Sequence, residues 1–250
     1  MEILKGMGTI FIGTSGFSYR EWIGSFYPCG LKGLALLDYY GTQFNAVEVN
    51  NTFYKMPEPD ILDSWKSRVP SGFRFAVKAG QMITHRKDFG MPDGYFEEFL
   101  SRIGILGEWL GPVLFQFPPS FGKPERLTEF IHHLQALAPT KFPIIPVIEL
   151  RNKKLLNREI FDMLRVSNLN LCLNDAFLAM DDWPEPGEIL YIRLRNGPYE
   201  EEYLQKVAKW LRRREEQGRD CYVFFKHEVA APGLAKEMLT ILGVNLRFQT

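Results

Sequence analysis

The chain has no surplus charge of either sign: thirty basic and thirty acidic side chains cancel over 250 residues. That removes the global signature of a nucleic-acid or membrane-surface binder, although a local basic patch stays open. Cysteine is scarce. Cys29, Cys172 and Cys221 lie far apart, with no CxxC or Cys/His ligand spacing. This excludes a disulfide framework and a zinc knuckle, and reduced thiols in a cytoplasmic protein are expected. No signal-peptide apolar region follows the single lysine near the N-terminus, so no leader is expected. No apolar run reaches the roughly 18–20 residues that span a bilayer. Low-complexity linkers and strong internal repeats are missing. So are a Walker loop, GxSxG, HExxH and a well-placed GxGxxG. Histidine is limited to four residues. His132 and His133 fall on a helix expected outside the core. That leaves His85 and His227, beside lysines, which argues against a multi-metal centre; no cofactor is specified.

What is present is a repeated pattern. Strand-like runs cover Thr9–Gly13, Ala46–Asn50, Phe73–Lys78, Val113–Phe117, Ile144–Leu150, Leu169–Asn174, Leu190–Arg195 and Cys221–Lys226. Helical patterns lie between most of them: 34–40, 60–68, 95–106, 124–137, 156–166, 200–217 and 232–242. Eight strands alternating with helices over 250 residues predict an α/β fold, a TIM (β/α)8 barrel forming one domain over 1–250. Two long loops follow the first and third strands, Thr14–Gly33 and Gly80–Gly94. The first holds Phe17, Tyr19, Trp22, Phe26 and Tyr27, either as a lid or binding loop or as a plug of the barrel mouth.

Side chains alternate along a strand, so aliphatic residues facing the helices send their neighbours inward. Val47 and Val49 turn Glu48 and Asn50 inward. Phe75 and Val77 do the same for Ala76 and Lys78. By the same test Gln116, Glu149, Arg151, Cys172, Asn174, Tyr191, Arg193, Arg195, Tyr222, Phe224 and Lys226 face inward. A polar ring is therefore expected at the C-terminal end of the barrel: Glu48, Lys78, Gln116, Glu149, Asn174, Arg193 and Lys226. Asn50, His85, Arg151 and Asp175 stand at its rim. Charges in an interior are costly unless paired or used. The ring is either a salt-bridge network, such as Glu48 with Lys78 and Glu149 with Arg193, or a functional site.

Two carboxylates among cations suit acid–base or hydrolytic chemistry, with Glu48 and Glu149 as acid and base and Lys78 as base or charge stabiliser. Glu48 and Glu149 against Lys78, Arg193 and Lys226 leave one positive charge over. That predicts a small polar, anionic substrate clamped by Arg193. Two other readings stay open. Aromatics beside Arg20, Lys32 and residues 85–87 would suit phosphodiester binding or hydrolysis. A barrel binding a metabolite or a partner without catalysis is the third.

The strings GTSGFSYREWIGSFYP, FNAVEVNNTFYKMP, FAVKAGQMITH, GPVLFQFPPSF and VIELRN resemble the YecE-like family, a domain of unknown function. The resemblance spans nearly the whole chain and implies a β/α barrel without an established activity. Its pattern maps onto Ser15, Tyr19, Trp22, Glu48, Asn50, Thr52, Phe53, Tyr54, Lys78, Thr84, His85, Gln116, Pro118 and Pro119. The second half departs from it at Asn152, Arg195, Asn196, Lys226 and His227, where the family pattern carries other residues. The fold is also similar to endonuclease IV-like barrels, whose metal ligands are not matched here.

Overall fold

The computed structural model describes residues 6–226 and 228–244, apart from the side chains of residues 138–141. His227 lies outside the described residues. Eight parallel strands run in order around one sheet: β1 (Ile10–Thr14), β2 (Ala46–Val49), β3 (Arg74–Lys78), β4 (Leu110–Phe117), β5 (Pro146–Leu150), β6 (Asn170–Asn174), β7 (Leu190–Leu194) and β8 (Cys221–Phe225). The helices are α1 (Ala35–Gln43), α2 (Pro59–Lys66), α3 (Gln81–Thr84), α4 (Tyr95–Ile103), α5 (Pro124–Lys141), α6 (Arg158–Val166), α7 (Glu201–Glu216) and α8 (Ala231–Ile241). This is an α/β TIM barrel, as the strand–helix alternation predicts.

The strand pattern reflects where each face goes. Phe75, Val77, Phe115, Ile148, Leu171, Ile192 and Val223 pack outward against the helices in one buried layer. Phe11, Ala46, Ala76, Leu114, Val147, Cys172, Tyr191, Tyr222 and Phe224 fill the interior as a separate cluster. Phe11 stacks on Tyr222 with ring centroids 4.5 Å apart. Large aromatic residues here do the work that branched aliphatic layers do in many barrels. Helix ends follow their local chemistry. Asn157 caps α6 by accepting the Ile160 N–H, and Gly218, at φ +76°, turns the chain after α7.

The barrel closes between β1 and β2 in an unusual manner. Instead of a continuous ladder, side chains stitch the seam. Asn45 accepts the Ile12 N–H at 2.7 Å and donates to the Ile10 carbonyl at 2.9 Å. The Tyr40 hydroxyl accepts the Thr14 N–H at 2.8 Å and donates to the Ala46 carbonyl at 3.2 Å. Gly13 permits this approach: a Cβ there would lie 1.9 Å from the Ala46 carbonyl oxygen. One main-chain bridge, Ser15 to Glu48, completes the closure just above the seam.

One loop expectation changes. The 80–94 segment is not all loop, because α3 occupies its start. In the aromatic loop after β1, the most buried rings pack on the barrel wall. Trp22 and Tyr27 are buried, and Phe26 packs against Tyr39, Tyr40 and Phe44 on and just after α1. Phe17 and Tyr19 stay partly exposed, and Tyr19 lies within the field of Glu48 and Arg195 at the mouth.

Candidate functional site

Strand ends set the site. Glu48 is the third residue of β2, Lys78 ends β3, Gln116 and Glu149 pair across β4 and β5, and Asn174 pairs with Arg193 across β6 and β7. At the centre lies Arg193. Its Nη2 donates to Glu48 Oε1 at 2.9 Å and its Nη1 to Glu149 Oε2 at 2.6 Å. All three side chains are at most 2% exposed. Glu48 also accepts from Asn50 Nδ2 at 2.9 Å and from the Tyr191 hydroxyl at 2.7 Å. Glu149 accepts from Gln116 Nε2 at 2.5 Å and from Asn174 Nδ2 at 2.9 Å. Each carboxylate therefore accepts three hydrogen bonds, at least one of them from a cation.

Burial works against ionising Glu48, but Arg193, Arg195 and the bonds from Asn50 and Tyr191 outweigh it and hold the carboxyl down to about 2. Glu149 shows the same balance: burial opposes ionisation, and Arg193, Gln116 and Arg151 carry it below the usual range. Both are anions at neutral pH.

Lys78 does not pair with Glu48. Its ammonium donates to Gln116 Oε1 at 2.9 Å and sits 4.0 Å from the centre of the Phe53 ring. Burial, followed by the field of Arg193, lowers its pKa to about 8. The reason is geometric: Arg193 reaches both carboxylates and leaves Lys78 a neutral amide. Lys226 also departs from the predicted ring. Its ammonium turns to Glu228, at the rim beyond β8.

Around the rim, Asp175 organises the loop after β7. It accepts the Arg195 N–H at 2.7 Å and the Tyr199 hydroxyl at 2.5 Å. The Trp22 indole donates to the Glu228 carbonyl at 3.0 Å and ties the first loop to the last. The Tyr19 hydroxyl donates to the Ser15 carbonyl at 2.8 Å. His85 shares a hydrogen bond with Thr84 at 2.9 Å; burial, Lys78 and Arg151 push it below its ordinary value, so it is neutral at pH 7. Tyr54, 77% exposed, points outward beside Phe53.

Arg195 is the main addition to the expected site. Parity turns it inward, but it lies just past the end of β7, where alternation no longer fixes direction. Burial and the neighbouring Arg193 lower its pKa, while Glu48 and Glu149 oppose the shift. Together Lys78, Arg151, Arg193 and Arg195 face Glu48, Glu149 and Asp175, four cations against three anions. Four buried polar atoms here have no hydrogen-bond partner among the described residues: Ser15 Oγ, Arg151 Nε, Arg193 Nε and Arg195 Nη1. Among the described residues, no three His, Cys, Asp or Glu side chains gather as a metal site would require. Nor is any helix among them long and apolar enough to cross a membrane.

Known proteins share this architecture. The family profile described as Protein of unknown function DUF72 matches residues 11–249. The UPF0759 protein YecE of Escherichia coli K12 is 31% identical over 128 residues, 51% of this chain and 44% of that protein. The UPF0759 protein YunF of Bacillus subtilis 168 is 30% identical over 118 residues, 45% of this chain and 41% of that protein. The matches thus span less than half the length of these curated relatives. A DUF72 family protein from Enterococcus faecalis V583 superposes with a TM-score of 0.75 at 18% identity, covering 97% of this chain and 98% of that one. A second, from Thermotoga maritima MSB8, gives 0.74 at 22% identity, covering 94% and 99%.

Proposed function

The chain belongs to the DUF72 family, and on that premise we propose that the barrel mouth binds a small anionic molecule and performs acid–base chemistry on it. One observation carries this reading. Buried donors without hydrogen-bond partners cost about 1–3 kcal/mol each, and four such atoms lie at one end of one barrel, one of them, Arg151 Nε, at ion-pair distance (4.0 Å) from Glu149. Three belong to arginines. A carboxylate or phosphate oxygen is the group that would satisfy them.

The roles follow from what each side chain already does. Arg195 and Arg151 face the ligand, with Ser15 and Arg193 Nε behind them. Arg193 spends both terminal nitrogens on Glu48 and Glu149, so it fixes the positive field rather than clamping the ligand in a fork. The two carboxylates are fully solvated by donors and ionised, which makes them poor acids and weak bases. Lys78, whose pKa of about 8 lies near neutrality, is the group suited to move a proton. It sits between a π face and an amide, neither of which locks its proton in place.

Sulfate is a suitable probe because it does not titrate near pH 8. An anion beside Lys78 would favour the ammonium form, so binding at pH 8 would take up protons. Calorimetry in buffers of different ionisation heat measures that uptake. Wild-type protein is expected to take up protons, Lys78→Met to bind without uptake, and Arg195→Met to lose most of the affinity. Unchanged binding in Arg195→Met, or equal proton uptake in Lys78→Met, would sink the assignment. A purely binding barrel is favoured by one feature, the saturation of Glu48 and Glu149. It predicts the same sulfate binding and proton uptake, with no chemical change in any anion that binds.

A further inference from the structure

Beside the mouth lies a cavity of about 520 Å³ that the ring does not explain. Thr84, His85, Arg86 and Lys87 line it from the end of α3 and the turn after it, and the 118–126 segment after β4 lines it from the other side. Both segments stand on the functional face of the barrel. Four of the ten lining residues are Lys or Arg, a fifth is the neutral His85, and none is acidic. Their charges are not equally free. Arg86 is neutralised by Asp88 and Asp93. Lys87, Lys123 and Arg126 make no ion pair with any described residue.

Arg126 is held in place without losing its charge. Its Nη2 donates to the Lys87 carbonyl at 2.8 Å, and its guanidinium lies 4.7 Å from the Phe89 ring centre and 5.6 Å from that of Phe121. Carbonyls and π faces orient a cation but do not cancel it. Its buried Nε has no partner among the described residues. Phe89 beneath it adopts φ +54°, a left-handed conformation that a bulky residue takes only when its surroundings impose it. The first turn of α5, which begins at Pro124, borders the same cavity and adds the positive end of its dipole.

We propose that this cavity is a phosphate-handle subsite, so that the ligand of the ring is a small phosphorylated organic acid. The phosphate would sit between Lys87, Lys123 and Arg126, and the carboxylate or its reacting neighbour would lie at the ring. His85 lines the cavity and, through the field it shares with Lys78 and Arg151, also borders the ring. It is the natural span between the two ends. This assignment rests on the anionic-ligand reading above and adds a second anchor to it. Such an anchor supplies binding energy away from the reacting atoms, where it can be used to position them.

The test compares 3-phosphoglycerate with glycerate by calorimetry, using wild-type protein, a Lys87→Ala/Lys123→Ala double variant and Arg195→Met. Lys87 and Lys123 are exposed, so the double variant should fold normally. Wild-type protein is expected to prefer the phosphorylated ligand by about tenfold or more. The double variant should bring that ratio towards one and leave glycerate binding unchanged. Arg195→Met should weaken both ligands and keep the ratio. A wild-type ratio of one, a ratio untouched by the double variant, or no saturable binding of 3-phosphoglycerate overturns the subsite. A ratio that depends on Lys87 and Lys123, with glycerate binding indifferent to Arg195→Met, supports the subsite and overturns the ring reading instead. A single-stranded oligonucleotide that displaces 3-phosphoglycerate with a steep salt dependence would overturn the small-molecule assignment in favour of a nucleic-acid surface.

Discussion

Removing the Arg193 guanidinium would leave Glu48 and Glu149 as neighbouring buried carboxylates with no strong cation between them. Arg193→Met is therefore expected to cost roughly 3–5 kcal/mol in urea unfolding, the range for stripping one partner from a buried ion pair. A loss below about 1 kcal/mol would mean that the ring opens to water. Lys78 makes a different prediction, because its pKa is lowered on folding, from 10.5 to about 8, chiefly by burial. The unfolded chain then holds a proton that the folded one has released between those two values. Stability should rise with pH across that window, and its cost should be fully present below it. Subtracting the Lys78→Met profile isolates this effect from the tyrosines that titrate nearby. A flat difference between pH 8 and 10 would show that the amine is solvated.

At the level of elements, β1 and β2 meet through Tyr40 and Asn45, and this seam should respond to small changes. Tyr40→Phe removes the group that joins Thr14 to Ala46, at an expected cost of about 1–3 kcal/mol for the polar atoms left unmatched. Hydrogen exchange should accelerate in β1 and stay slow in β5. Gly13→Ala should be worse than Tyr40→Phe, since its Cβ would meet backbone rather than a flexible side chain. Equal protection of both strands in Tyr40→Phe would show that the seam bears no weight. The strands themselves were legible because aliphatic residues alternate sharply with polar ones, as in Ile148, Glu149 and Leu150. The four residues of α3 carry too little periodicity to be seen. The seam was hidden because side chains replacing a ladder leave no trace in strand propensity.

For the whole molecule, the ring of strands and its outer helices should unfold together. Trp22, Trp65, Trp109, Trp183 and Trp210 are spread along the chain, so fluorescence samples widely separated parts of the barrel. Fluorescence and far-ultraviolet circular dichroism are expected to give coincident urea transitions; separated midpoints would divide the chain into independent units. The site was legible only where it follows from strands. Glu48, Gln116, Glu149, Asn174 and Arg193 come together because parity turns them inward. The partner of Lys78 did not follow, since parity says which face a residue takes and not which neighbour it reaches. The cationic cavity was also out of view, because Lys87, in the turn after α3, is far along the chain from Lys123 and Arg126 at the start of α5. The stitched closure has one more consequence. A closed sheet has no edge to offer, but this one is kept shut at a single line by two side chains and a short bridge. If that line parts, two strand edges open while the core is still packed, and each can accept a strand from another copy. Clumping on heating would then begin from nearly native molecules, and strengthening the closure would protect the protein better than improving its core.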